Sequence, residues 1–245
     1  MPKLTGMQTI DVPGGGNFQF SAVRPDLLGA VEYTLVTIVV DVTWSVTEFK
    51  DELLDTLKSV IRACRHSPRA DNLMVRLLHF NTKRNEIHGF IPLNQINPDD
   101  YKPLHCEGMT ALYDAVYDAI GATNTYAQNL VAQDFDVNAA VFIITDGEDN
   151  SSKITPAKIA DQVRRASREE CLESLLTVLI GVNAQSAGAS AHLQIFKDEA
   201  ELSQFVDVAD AGPDNLAKLG AFVSRSISMQ SQALGMGNSP QSLSF

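Results

Sequence analysis

The run TLVTIVVDVTWS at residues 34–45 restricts what this chain can fold into more than any other stretch. From Leu35 to Val40 it is apolar but for Thr37 and rich in β-branched residues. Such a run reads as a strand buried on both faces, at the centre of a parallel sheet. Its polar end is Asp41-Val42-Thr43-Trp44-Ser45. Open α/β sheets bind ligands beyond the carboxyl ends of their strands. Asp41, Thr43 and Ser45 leave the strand there at alternate positions and are expected to converge. One carboxylate and two hydroxyls are hard oxygen donors with no soft ligand among them, which suits Mg²⁺ or Mn²⁺ better than Zn²⁺.

Two later segments join this one. Gly108-Met109-Thr110-Ala111-Leu112 precedes a helical stripe of Leu112, Ala115, Val116, Ala119 and Ile120. The apolar run Val141-Phe142-Ile143-Ile144 ends in Thr145-Asp146-Gly147. Together the three segments resemble the metal-ion-dependent adhesion site (MIDAS) of von Willebrand factor type A (vWA) domains: an Asp-x-Ser-x-Ser opening, a Gly-Gly-Thr-x-Leu loop, and a strand ending in Thr-Asp-Gly. The resemblance is to the intracellular bacterial or phage members and covers roughly residues 32–230. It implies a metal set of Asp41, Thr43, Ser45, Thr110 and Asp146, with the hydroxyls as direct donors and the acids bound directly or through water. Taken alone, Thr110 reads as an ordinary helix N-cap. Two carboxylates about 4 Å apart repel by roughly 4 kcal/mol at an effective dielectric of 20, so Asp41 and Asp146 need a cation between them. The chain departs from the family pattern at Thr43 for Ser, at Trp44 for a small residue, and at Met109 for the second Gly.

The remaining chain supplies the scaffold. A helix is expected from about Thr47 to Cys64, on the stripe Phe49, Leu53, Leu57, Val60 and Cys64. Strands follow at Leu73 to Phe80 and Glu86 to Leu93. Their short link, Asn81-Thr82-Lys83-Arg84, can join only antiparallel neighbours, and Pro92 suits an edge. Further strands are expected at Ala139 to Thr145, Leu175 to Val182 and Phe205 to Val208. Helices open at Thr110, at Thr155-Pro156, at Ala189 and at Pro213. His79 and His88 read as core or edge side chains. The order predicts an α/β, doubly wound, mostly parallel six-stranded sheet of order 3-2-1-4-5-6, strand 3 its antiparallel edge. Residues 1–31 are expected to form an N-terminal arm packed on the sheet edge, its alternating Phe18-Gln19-Phe20 adding an edge strand or latching onto the domain, with 32–233 the vWA-like domain and 234–245 a flexible tail. Pro13-Gly14-Gly15-Gly16 reads as a joint in that arm.

The formal net charge of −11 argues against a nucleic-acid or anionic-membrane surface, where basic patches are needed. Three widely spaced cysteines, Cys64, Cys106 and Cys171, point to a reducing compartment rather than a disulfide framework. No run approaches the roughly 18 apolar residues of a membrane span, nor the core of a signal peptide, so the expected location is cytoplasmic.

The reading is therefore of a non-enzymatic, metal-dependent protein-interaction module. Its resemblance implies a partner Asp or Glu taking a free position on Mg²⁺ or Mn²⁺, within a multi-protein complex. An enzyme of the same fold, a magnesium-dependent phosphotransferase or phosphatase with Asp41 as nucleophile, is the rival. A metal-free scaffold with Trp44 as its contact is the third reading.

Overall fold

A computed structural model describes residues 7–11, 19–168, 172–185, 188–236 and 243–245 of the 245-residue chain. Cys171, the joint at Pro13 to Gly16 and the Gly237 to Pro240 segment lie outside the described residues. The strands are β1 (Met7–Asp11), β2 (Gln19–Val23), β3 (Glu32–Asp41), β4 (Leu73–Phe80), β5 (Arg84–Pro92), β6 (Asp136–Thr145), β7 (Leu175–Val182) and β8 (Gln204–Val208). The helices are α1 (Lys50–Cys64), α2 (Leu112–Val131), α3 (Pro156–Arg168), α4 (Ser190–Glu199) and α5 (Pro213–Met236).

The expected six-stranded sheet is an eight-stranded one, of order β1-β2-β5-β4-β3-β6-β7-β8. It remains mostly parallel, with antiparallel pairs at β1–β2 and β4–β5. The expected antiparallel edge strand, β5, is therefore an interior strand: β2 runs parallel beside it, and β1 closes the sheet on that side. Two features let β2 in. Gly89 of β5 has no side chain, and a Cβ there would lie 1.8 Å from the Ser21 carbonyl oxygen. Glu86 of β5 accepts hydrogen bonds from both the Ser21 amide, at 2.9 Å, and the Ser21 hydroxyl, at 2.6 Å. Its other oxygen binds Nε of Arg76, at 2.8 Å, a guanidinium with 0% side-chain exposure. A buried cation is tolerable only with such a partner.

Side-chain alternation along β3 divides the core in two. Ile38 and Val40 point to one face with Leu53, Leu57 and Val60 of α1 and Leu219, Phe222 and Val223 of α5. Val39 points to the other, with Val116, Ala119 and Ile120 of α2, Ile159 of α3 and Leu193 and Phe196 of α4. Both faces of β3 are thus covered, and β4 and β6 flank it in parallel, the surroundings expected of an uninterrupted apolar run. The strand ends with Asp41 buried, and its side chain has to find polar partners locally.

Candidate metal centre

Asp41 is 1% exposed, and both its oxygens are engaged. Oδ1 accepts the Thr43 amide at 2.9 Å, a short turn that bends the chain away from the strand. Oδ2 accepts the Thr145 hydroxyl at 2.6 Å. That second bond follows from register: Val40 lies opposite Ile144 across β3 and β6, so the next residues along are Asp41 and Thr145. After the turn, Trp44–Phe49 winds as a 3₁₀ helix leading into α1, so the helix proper begins a little later than Thr47.

Asp146, the first residue past β6, is buried beside this turn. The Ser45 hydroxyl donates to Asp146 Oδ1 at 2.9 Å, and the Thr43 and Ser45 hydroxyl oxygens are 3.2 Å apart. A hydroxyl has one proton. With Ser45 donating to Asp146, the Thr43 hydroxyl is the donor to Ser45. A polar relay thus runs Thr43, Ser45, Asp146, while Thr43 also anchors on Asp41 through its amide. Burial pushes the Asp41 carboxyl up to about 6, against the pull of the Thr145 and Thr43 hydrogen bonds, and the nearby Asp146 charge adds to the rise. Burial likewise raises Asp146, with the Ser45 bond working against it. Two carboxylates are therefore held where each resists ionising without positive charge nearby.

Thr110 is buried at the same rim by a different route. The sequence suggests it as an N-cap, but its side chain makes no cap bond to α2. The cap position belongs to Ala111. The orphan amides of the first turn are served instead by the segment after β6. Asn150 Oδ1 accepts the Thr110 amide at 2.8 Å, Asp149 Oδ1 the Tyr113 amide at 3.3 Å, and Ser152 Oγ the Asp114 amide at 3.0 Å. Asp114 reciprocates, its Oδ1 accepting the Lys153 and Ile154 amides. The Thr110 carbonyl also accepts the Asn150 and Ser151 amides. Among the described residues no hydrogen bond joins the Thr110 hydroxyl to Asp41, Thr43, Ser45 or Asp146, which are linked to one another.

The loop before Thr110 is fixed from the other side. Gly108 has φ 76°, a left-handed conformation that favours glycine. The Met109 amide donates to Thr82 Oγ1 at 3.1 Å, and the Ala111 amide to the Asn81 carbonyl at 3.1 Å. The Glu107 amide donates to the Val42 carbonyl at 2.9 Å, so this loop runs beside the turn after β3. Trp44 and Met109 stand out from these two segments at 69% and 55% exposure.

Thr145, Asn150 and Ser152 have structural parts that the sequence does not assign, while Asp149, expected at the rim of the site, binds the Tyr113 amide and Ser152. A hydroxyl directly before the strand-end acid was the available signal for Thr145. Cys106, a free thiol, is also close: burial raises it, Lys50 lowers it, and the Asp41 and Asp146 charges raise it. Among the described residues no three His, Cys, Asp or Glu side chains gather to hold a metal. A donor set here is two carboxylates and hydroxyls, and that set fits a hard divalent cation by its chemistry.

No family model matches the sequence, and no curated protein does. Solved structures share the fold. The PilB minor pilin of Streptococcus sanguinis superposes with a TM-score of 0.59 at 16% identity, over 93% of this chain and 68% of that one. Proximal thread matrix protein 1 of the mussel byssus, with a zinc-occupied MIDAS motif, gives 0.52 at 16% identity over 82% of this chain and 47% of that one. The pilus adhesin SpaC of Lactobacillus rhamnosus GG gives 0.56 at 10% identity over 86% and 31%. The chain thus spans less than half of the latter two proteins. What these likenesses establish is a mixed α/β fold shared with adhesin, pilin and matrix proteins.

Proposed function

We propose that this chain is a protein-interaction module of vWA type whose recognition depends on a divalent cation, Mg²⁺ or Mn²⁺, held by Asp41, Thr43, Ser45, Thr110 and Asp146. The observation that carries this reading is the hydroxyl relay that ties two buried carboxylates with raised pKa to one turn at the end of the central strand. A bound cation would neutralise the two acids and offer a remaining position to an oxygen donor. Thr43 and Ser45 set the hydroxyls, Thr145 and the Thr43 amide orient Asp41, and the Asn150 clasp holds the Thr110 segment at the rim. The partner supplies an Asp or Glu. Fold neighbours that are adhesins and pilins support a binding role. Asp41 is enclosed, and each of its oxygens already accepts a hydrogen bond, which weighs against its use as a nucleophile. The free, buried thiols Cys64 and Cys106 are in keeping with the cytoplasm as its proposed location.

Titration calorimetry with MgCl₂ and MnCl₂ tests the reading. Saturable one-site binding is expected for the wild-type chain, and none for Asp41→Ala. A flat wild-type isotherm with both ions rules out the cation and leaves the scaffold reading.

A further inference from the structure

We propose that the segment this rim receives is a single carboxylate flanked by bulky apolar side chains, with Trp44 and Met109 as the surfaces those side chains pack on. The inference rests on the cation-site reading and names its partner more closely. Trp44 lies between Thr43 and Ser45, and Met109 directly before Thr110, so each large exposed apolar group adjoins a candidate oxygen donor. The bond between Glu107 and Val42 puts their two segments side by side.

Both side chains stand on backbone that is already fixed. The Thr47 hydroxyl donates to the Trp44 carbonyl at 2.7 Å, within the 3₁₀ turn. Thr82 holds the Met109 amide, and the Ala111 amide is bound to Asn81. Backbone fixed before binding adds no loop-ordering cost on association. Trp and Met are also enriched where protein surfaces meet, and Trp most of all among residues that dominate binding.

Charge narrows the partner further. Glu107 and Glu148 are exposed about this rim, Glu107 3.5 Å from the His105 ring and Glu148 2.7 Å from that of His192, with Asp149 beside them, on a chain of net charge −11. A run of acids would be repelled by that surround, whereas one carboxylate directed to a cation and bordered by apolar groups would not. The occupant is therefore one acid with aromatic or aliphatic neighbours, rather than an acidic tract.

The test uses the full chain, immobilised in Mg²⁺, against a phage-displayed random peptide library, with bound phage released by chelator. Enrichment of a lone Asp or Glu next to Phe, Trp, Leu, Ile or Met is the expected result. The best peptide, synthesised, should bind Trp44→Ala and Met109→Gly at least roughly tenfold more weakly than wild type. The Mg²⁺ isotherm of each variant is read alongside, so that lost peptide contact is separated from a lost ion. Enriched acids without apolar neighbours, no chelator-released peptide at all, or peptide binding indifferent to both substitutions would each overturn the proposal. So would a loss that merely follows a lost Mg²⁺ isotherm in the variants. A flat wild-type Mg²⁺ isotherm instead defeats the cation site beneath it.

Discussion

At the end of β3 the chain has to place a carboxylate in a nearly dry environment, and it does so by surrounding Asp41 with donors from its own turn and from β6. The same problem recurs with opposite sign at His79 and His88 on the neighbouring strands. Burial, with the adjacent His88 adding to it, lowers His79 to about 4, and burial also lowers His88. The folded chain thus holds His79 neutral in a range where the unfolded chain, with its ordinary value near 6.5, takes up a proton. Stability contributed by this group is present above pH 6.5 and is lost as pH falls toward 4. Replacing it in His79→Leu should flatten the pH dependence, removing roughly 2 kcal/mol of the difference between pH 7 and pH 5 in urea unfolding. An unchanged slope would show that the imidazole is not so enclosed. At this scale the sequence was informative about the convergence of Asp41, Thr43 and Ser45, because a strand's period of two is a local property. Thr145 was not legible as the partner of Asp41, since that contact depends on how β3 and β6 are aligned, which residues 100 positions apart do not disclose.

Among the elements, the least expected is β1, while β2 has only the short alternation Phe18-Gln19-Phe20 to suggest it. Each is five residues long, and the stretch between them carries three glycines, so no long apolar run announces a strand. β5 reads as an edge because a short hairpin link names its one neighbour, β4, and is silent about the other side. The long central strands were legible for the opposite reason, being apolar over their whole length. Gly89 is where this arrangement is most exposed to test. A methyl group there meets the β2 backbone, which cannot yield as a flexible side chain would. Gly89→Ala should push β2 off β5, lowering stability by at least roughly 2 kcal/mol and abolishing amide exchange protection over residues 19–23. Retained protection in that variant would mean that β2 shifts and re-pairs. The clasp between α2 and the segment after β6 is a second inter-element device. Removing one of its acceptors in Asn150→Ala leaves the Thr110 amide without that bond and should lower stability by about 1 kcal/mol, the net worth of an ordinary hydrogen bond, and weaken Mg²⁺ binding in calorimetry.

For the whole molecule, the proposed site draws its members from three distant segments that meet only in the native state. A ligand bound there and not to the unfolded chain stabilises by RT ln(1 + [L]/Kd), about 2.7 kcal/mol at a hundredfold excess over Kd. In a chain of this size each kcal/mol moves the melting temperature by about 2–4 °C. Saturating Mg²⁺ should therefore raise it by roughly 5–10 °C at constant ionic strength, while Asp41→Ala stays level; equal shifts in both proteins would reduce the effect to general screening of the −11 charge. One placement has a practical consequence for all such work. The chain contains one tryptophan, and it stands in the turn between Thr43 and Ser45, open to water. Its ultraviolet emission is thus the emission of that turn alone, and any occupant that displaces solvent from the indole will announce itself by colour and intensity, with no dye attached.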